Sequence, residues 1–438
     1  MCEQSINGLS KFLKNSPTAF HAVDTMSKML KNEGYTYLSE TDAWEIVPGG
    51  KYYTTRNQSS LIAFSVSENL EDYSFRITAS HSDSPTFKIK ENAELLVQKH
   101  YAKLNTEGYG GMLCSTWFDR PLSIAGRVLI QSGDSIEARL IKIDRDLCII
   151  PSLAIHMDRN ANDGHTFNKQ VDMLPLIGGE AFTEGAINEL IADELGLEAD
   201  QIVGRDLYLY NRMEPTVWGA NKEYFSAAQL DDLQCAYATL TGFIEAVPKA
   251  GVNVFACFDN EEVGSGTKQG ASSTFLSDAL KRLNTALGKT EEDYLKAVAQ
   301  SFMVSCDNAH AVHPNYPDKT DQNNCAYLNE GIVIKSHAGQ KYTSDGVSVA
   351  LFKAICKRAE VPVQFFANRS DMAGGSTLGN LAMTQVSLNA VDIGLPQLAM
   401  HSSYETSGVK DTQYLIDACR VLYSIKITSN GEGRYEIL

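Results

Sequence analysis

Beyond residue 220 the chain alternates runs of helical periodicity with short apolar runs of strand length, and this alternation restricts the architectures open to it. LDDLQCAYATLTGFIEAV, TFLSDALKRLNTAL and SDGVSVALFKAICKRAE read as helices; GVNVFACFDN, SFMVSCDN, PVQFFAN and AVDIGLPQ read as strands. A strand buried on both faces shows a continuous apolar run, and the helices that join such strands cover both sides of the sheet. The expected fold is therefore α/β: a three-layer α/β/α sandwich around a largely parallel sheet.

The start of the chain fits the same body. SINGLSKFLKNS is amphipathic, and SPTAFHAVDTMSKMLKNEG has a Ser-Pro start, apolar spacing of three and four, and a Gly stop. A hairpin pattern follows through YYTTRNQSSLIAFSVS and DYSFRITASHSDS. Between about 91 and 220 the texture changes to short β-rich runs broken by Gly and Asp turns, with an acidic helix near 182–195. With 438 residues, more than one core usually serves, two domains are expected. Residues 1–90 and 221–438 form one, and 91–220 form an inserted β-rich domain.

A net charge of -16 argues against nucleic acid or an anionic membrane as partner, because either needs a Lys/Arg surface to displace counterions. The nine cysteines are scattered, form no CxxC pair, and several sit inside apolar runs, as Cys257 and Cys306 do. No apolar core of a signal peptide opens the chain, and no run of about 18 apolar residues is present to span a bilayer. A cytoplasmic protein is the expectation.

Four strand-like runs end in ligand-type residues: RITASHSDS at His81 and Asp83, VFACFDNEE at Glu261 and Glu262, MVSCDNAH at Asp307, and IGLPQLAMHS at His401. Open α/β sheets bind ligands beyond the carboxyl ends of their strands, so four such ends deliver side chains to one crevice. Asp231 and Asp232 open a helical run, where a helix N-terminus favours carboxylates irrespective of chemistry. Beside the four strand ends they become candidates to bridge two cations about 3.5–4 Å apart. Asp231, Glu262 and Asp307 would offset most of the charge of two dications. Mixed imidazole and carboxylate ligation suits zinc and also admits cobalt or manganese. Asp83 is placed to accept the second ring N–H of His81. Side chains one apart in a turn diverge, so Glu262 reaches metal while Glu261 stays free as general base for a water activated by two metals.

Eight separated blocks resemble one family: SPTAFHAV, SHSDSP at 80–85, YGGMLCSTWFDRPLSIAGRV, LAIHMDR at 153–159, LDDL at 230–233, FDNEEVGS at 258–265, DNAHAVHPNY at 307–316 and PQLAMHS at 396–402. They are similar to the aspartyl aminopeptidases, dinuclear zinc exopeptidases that assemble as tetrahedral dodecamers. The resemblance implies the zinc exopeptidase form of the α/β sandwich, peptide substrates, and removal of an N-terminal residue, preferably Asp or Glu. It implies that His81 and Asp307 hold one metal, that Glu262 and His401 hold the other, that Asp231 bridges them, and that Glu261 is the base. His156 matches a histidine that reaches a neighbouring subunit's active site, which makes the insert an oligomerisation domain joining dimers into a dodecamer. Lys335 matches a lysine that faces the substrate's acidic side chain; Tyr342, Ser376 and Thr377 are expected in the same cleft. Many relatives carry Asn at the position of Asp232, and His310 and His313 fit the motif without being ligands. The alternatives are a related dinuclear exopeptidase or deacylase of neutral specificity, and a non-catalytic peptidase-fold binding protein. The second is disfavoured because Glu261 and all five ligand positions are filled.

Overall fold

The computed structural model describes residues 2–431 and 433–438. Its centre is a nine-stranded sheet in the order Thr36–Tyr37, Lys51–Arg56, Ser60–Val66, Val252–Phe258, Phe75–His81, Phe302–Cys306, Asn389–Gly394, Ile332–Ser336, Val363–Ala367. The four middle strands, Val252–Phe258, Phe75–His81, Phe302–Cys306 and Asn389–Gly394, run parallel, so their carboxyl ends share one edge. The hairpin of Lys51–Arg56 and Ser60–Val66 forms as expected, and Ser60–Val66 pairs antiparallel with Val252–Phe258.

Alternation along each strand assigns its side chains to two cores. On one face Phe255, Cys257, Val304 and Ile393 pack with Leu9 and Phe12 of helix Cys2–Asn15, Val23 and Met26 of Ala19–Asn32, Leu233 and Phe243 of Leu230–Glu245, and Leu415 of Asp411–Tyr423. On the other, Ile77, Val254, Ala256 and Met303 pack with Phe275 and Leu280 of Phe275–Ala286, Ala297 of Glu291–Ala299 and Leu378 of Leu378–Ala382. This is a three-layer α/β/α sandwich.

The inserted β-rich part has its own six-stranded antiparallel sheet, ordered Ser135–Lys142, Leu122–Ser132, Ile202–Asn211, Thr86–Val97, Tyr101–Tyr109, Leu176–Gly179. A separate core gathers Phe87, Trp117, Ile124, Val128 and Leu207 with Ile187 and Ile191 of helix Ala186–Leu195. A further sheet was not foreseen. Thr216–Trp218, Tyr224–Ala227, Glu405–Gly408, Pro396–Leu398 and Ala309–His310 form five strands beside the carboxyl edge. It changes the placement of His401: strand Asn389–Gly394 ends well before that residue, and Pro396–Leu398 leaves for the five-stranded sheet. His401 therefore stands in the turn between Pro396–Leu398 and Glu405–Gly408, with φ 66°, and is not the end of a central strand. Among the described residues no helix is long and apolar enough to cross a membrane.

Candidate active site

Three of the four expected strand ends deliver their residues directly. His81 closes Phe75–His81, Asp307 follows Phe302–Cys306, and Glu261 and Glu262 lie in the 3-10 turn Glu261–Val263 just after Val252–Phe258. Asp231 and Asp232 open helix Leu230–Glu245, where their backbone departs from helical angles. His401 arrives from the five-stranded sheet. Donor atoms of these residues lie within 4.8 Å of one another in three groups: His81, Asp231, Asp232 and Asp307; His81, Glu261 and Glu262; Asp231, Glu262 and His401.

Asp231 joins two of these groups, and its two oxygens divide between them. Oδ1 is 3.5 Å from His81 Nε2, while Oδ2 is 3.4 Å from His401 Nε2; Glu262 Oε2 is 3.3 Å from that same His401 nitrogen. Both rings are oriented from behind. His81 Nδ1 lies 3.1 Å from the Asp83 carbonyl, and His401 Nδ1 lies 3.1 Å from the Gly111 carbonyl. An N–H at each Nδ1 would donate to these oxygens and leave Nε2 as the free lone pair facing the carboxylates. For His81 the nearer partner is thus the Asp83 backbone, with the expected carboxylate at 3.4 Å. The Asp83 carboxylate accepts instead from Tyr109 Oη at 2.6 Å and from the N–H groups of Glu261 and Glu262 at 3.1 and 3.2 Å. It fixes the turn that carries both glutamates.

The charge balance is lopsided. Burial raises Glu262, Asp232 and Asp307 above the ordinary carboxylate range, and lifts Glu261 to about 8, with Asp307, Asp83 and Asp231 adding to it and His81 opposing. Asp231, equally buried, is held low by His401 and His81, whose ring nitrogens face its two oxygens. His81 is raised despite burial by Asp232, Asp231 and Asp83. Three buried carboxylate oxygens, Asp231 Oδ1, Asp232 Oδ1 and Glu262 Oε1, have no hydrogen-bond partner. Burying a carboxylate without a partner is costly, and divalent cations are the groups that answer a surplus of such oxygens beside neutral imidazole nitrogens. The residues fit a metal centre.

The structure also supplies contacts the sequence did not suggest. Glu405 is 1% exposed, and its carboxylate accepts from the Asp231 N–H at 3.0 Å and the His401 N–H at 2.6 Å. Burial and Asp231 push it to about 8. It ties the two residues together, yet a glutamate within SSYETSG carries no spacing signal. Asp232 Oδ2 accepts from the His81 N–H at 3.1 Å.

Lys335 lies within strand Ile332–Ser336 and is 4% exposed; it does not reach to solvent. Its Nζ donates to the Asn308 carbonyl at 2.8 Å, lies 3.5 Å from Asp307 Oδ2, and stands over the Tyr342 ring at 5.6 Å. Burial opposes its charge most strongly, but Asp307, Tyr342, Asp392 and Asp231 together outweigh burial and raise it above the usual lysine range. Thr377 is buried and donates to Asp392 Oδ1 at 3.0 Å; the same carboxylate accepts from Thr343, next to Tyr342. Ser376 differs: it is exposed and bonds Asn380 at 3.0 Å. His310 packs near Phe366, and His313 near Tyr316. His156 belongs to none of the donor groups. It sits in an exposed turn flanked by Leu153, Ile155 and Met157, themselves exposed, and among the described residues its side chain has no hydrogen-bond or ion-pair partner.

An α/β sandwich that gathers imidazoles and surplus carboxylates at the carboxyl edge of its sheet has the build of a metal-dependent hydrolase. A family model described as aminopeptidase I zinc metalloprotease (M18) matches residues 12–423. A probable M18 family aminopeptidase 2 from Clostridium novyi (strain NT) is 45% identical over 426 residues, covering 96% of this chain and 98% of its own. Its namesake from Pseudomonas aeruginosa (strain UCBPP-PA14) is 40% identical, covering 95% and 97%. Among solved structures, that of the Ape4 and Nbr1 complex has a TM-score of 0.93 at 34% identity, covering 96% of this chain and 86% of that one. That of the S. cerevisiae mApe1 dodecamer has a TM-score of 0.83 at 26% identity, covering 95% and 97%. The chain belongs to the M18 family of aminopeptidases, which are zinc metalloproteases.

Proposed function

We propose that this aminopeptidase works with two divalent metal ions and prefers peptides that begin with Asp or Glu. The observation that carries the reading is Asp231, whose two oxygens face two different histidines at 3.5 and 3.4 Å. His81 and Asp307 would hold one ion, Glu262 and His401 the other, with Asp231 between them. Zinc fits this donor set, with cobalt or manganese as substitutes. Two such cations would lower the pKa of a water toward about 7 and polarise the scissile carbonyl.

The protein groups do the rest. Glu261, whose carboxylate has no hydrogen-bond partner among the described residues, takes the proton from the attacking water and passes it to the departing nitrogen. Asp83 holds the turn that carries Glu261 and Glu262 by accepting from both backbone N–H groups. Lys335, beside Tyr342, receives the acidic side chain of the first residue, which answers the repulsion expected from a chain of charge -16. His156 completes the site from a neighbouring subunit, helping to stabilise the reacting carbonyl. Its exposure on an apolar loop supports that role. The mApe1 dodecamer supports a dodecameric assembly, in which dimers would join through residues 91–220. A cytoplasmic location accords with nine free cysteines. The test is a panel of Asp-, Glu- and Leu-anilides read together with metal analysis. Faster turnover of the acidic substrates with about two ions per chain is expected; equal or faster cleavage of Leu, or a single ion at saturation, overturns the reading.

A further inference from the structure

The two halves of the metal centre are not electrostatically alike. Glu262 has His401 as its ion-pair partner and, among the described residues, no lysine or arginine pairs with it. Asp307 has the ammonium of Lys335 at 3.5 Å, enclosed and pinned by the Asn308 carbonyl. A carboxylate that already shares its charge with an ammonium offers a weaker field to a second cation, and the ammonium repels that cation directly.

We propose that Lys335 competes with the bound ion for Asp307, holding that ion less tightly than its neighbour, and that an acidic ligand which engages the ammonium tightens it again. This rests on Asp307 being a metal ligand. Linkage makes the coupling reciprocal: whatever an acidic side chain adds to ion affinity, the ion adds to the binding of that side chain. Lys335 is then more than a specificity contact, because it ties recognition of the first residue to completion of the metal pair. The packing favours a neutral replacement. Tyr342 lies in a small apolar cluster with Ala309, Val333 and Phe366, against which a methionine at 335 can lie.

The experiment uses the full-length zinc-loaded protein, incubated with graded EDTA and assayed for residual zinc by atomic absorption. Wild type should release one ion at a lower EDTA concentration than the other. Lys335→Met should move that first release to EDTA concentrations higher by about tenfold or more, whereas Lys335→Arg should follow wild type. Free glutamate, compared with leucine, should delay the first release in wild type and have no such advantage in Lys335→Met. First release from Lys335→Met at or below the wild-type concentration overturns the proposal, and so does Lys335→Arg behaving as the methionine variant. Lys335→Gln replaces Met if thermal unfolding finds the apolar variant unfolded. A wild-type protein that saturates below two ions would instead sink the two-metal reading, so the two failures are distinguishable.

Discussion

The carboxyl edge of the nine-stranded sheet and the insert both reach the candidate metal centre, but they contribute different kinds of atoms. The edge supplies side chains: His81, Glu261, Glu262 and Asp307 each follow a central strand closely. From the insert come backbone groups and one hydroxyl: the Gly111 carbonyl against His401 Nδ1, the Leu113 N–H donating to the His401 carbonyl at 2.9 Å, and Tyr109 Oη on Asp83. On the proposed reading the edge performs the chemistry, and the insert holds its own subunit's site in place while lending His156 to a neighbour's. If that division is right, edge substitutions abolish turnover with the fold intact, and insert substitutions act through geometry or through assembly.

Glu261→Gln probes the edge most sharply. Turnover should fall by about 10²–10⁴-fold while zinc content and thermal unfolding stay near wild type, as for removal of a general base. Near-normal turnover would end the assignment. His156→Ala probes the insert, and a lost donor to a developing oxyanion costs about 10²–10³-fold. Mixing decides whose site it serves. Subunits bearing Glu261→Gln and subunits bearing His156→Ala, co-assembled, should regain activity if His156 acts on a neighbour; no recovery places it outside a neighbour's chemistry.

Gly110→Ala tests the backbone contribution. Gly110 has φ +76°, and a Cβ there would lie 3.1 Å from Glu262 Cβ and 3.4 Å from Pro85 Cα. The left-handed backbone alone costs a non-glycine residue about 1–2 kcal/mol. The added methyl must also displace the glutamate proposed to hold one ion. The expected outcome is about a tenfold drop in kcat/KM with loss of one zinc ion at low chelator. Gly111→Ala is the control: its Cβ would meet His401 Nδ1 at 3.7 Å, an ordinary contact, and metal content should hold. If both variants behave alike, the close approach at Gly110 has no special role.

This contrast also explains what could be read from the chain alone. Strands buried on both faces announce themselves as apolar runs, and a polar residue at the end of such a run is conspicuous; hence His81, Glu262 and Asp307 were legible together with the sandwich that gathers them. His401 was legible as a residue and misplaced as a strand end, because AVDIGLPQLAM conceals the passage from one sheet to another. Glu405 left no signal, since its work is to accept two backbone N–H groups, which any buried carboxylate in a short strand can do. Backbone donors and acceptors have no letter in a sequence. Of the insert's backbone contribution the sequence shows nothing beyond the block YGGMLCSTWFDRPLSIAGRV, which carries a resemblance and no contact.

The gentlest probe lies where the insert meets the N-terminal helices, away from the metal centre. There Lys142 Nζ donates to the Lys14 carbonyl at 2.8 Å, and His21, 8% exposed, is 2.9 Å from Thr18 Oγ1 through Nδ1. Burial lowers His21 to about 4, with Lys142 and Lys28 acting in the same direction and Asp24 against it. An unfolded histidine titrates near about 6.5, so between pH 6.5 and 4 the unfolded chain binds the proton that the folded chain refuses. The stability associated with neutral His21 is therefore fully present above about pH 6.5 and is lost as pH falls toward 4. Over that window the loss is on the order of 2–3 kcal/mol. His21→Gln removes the titration. Denaturant unfolding of the metal-free proteins should give a stability gap between wild type and variant that is widest near pH 7 and narrows on acidification. A gap that stays constant would mean that His21 titrates alike in both states, and that the joint between insert and sandwich carries no buried proton-sensitive group at this position.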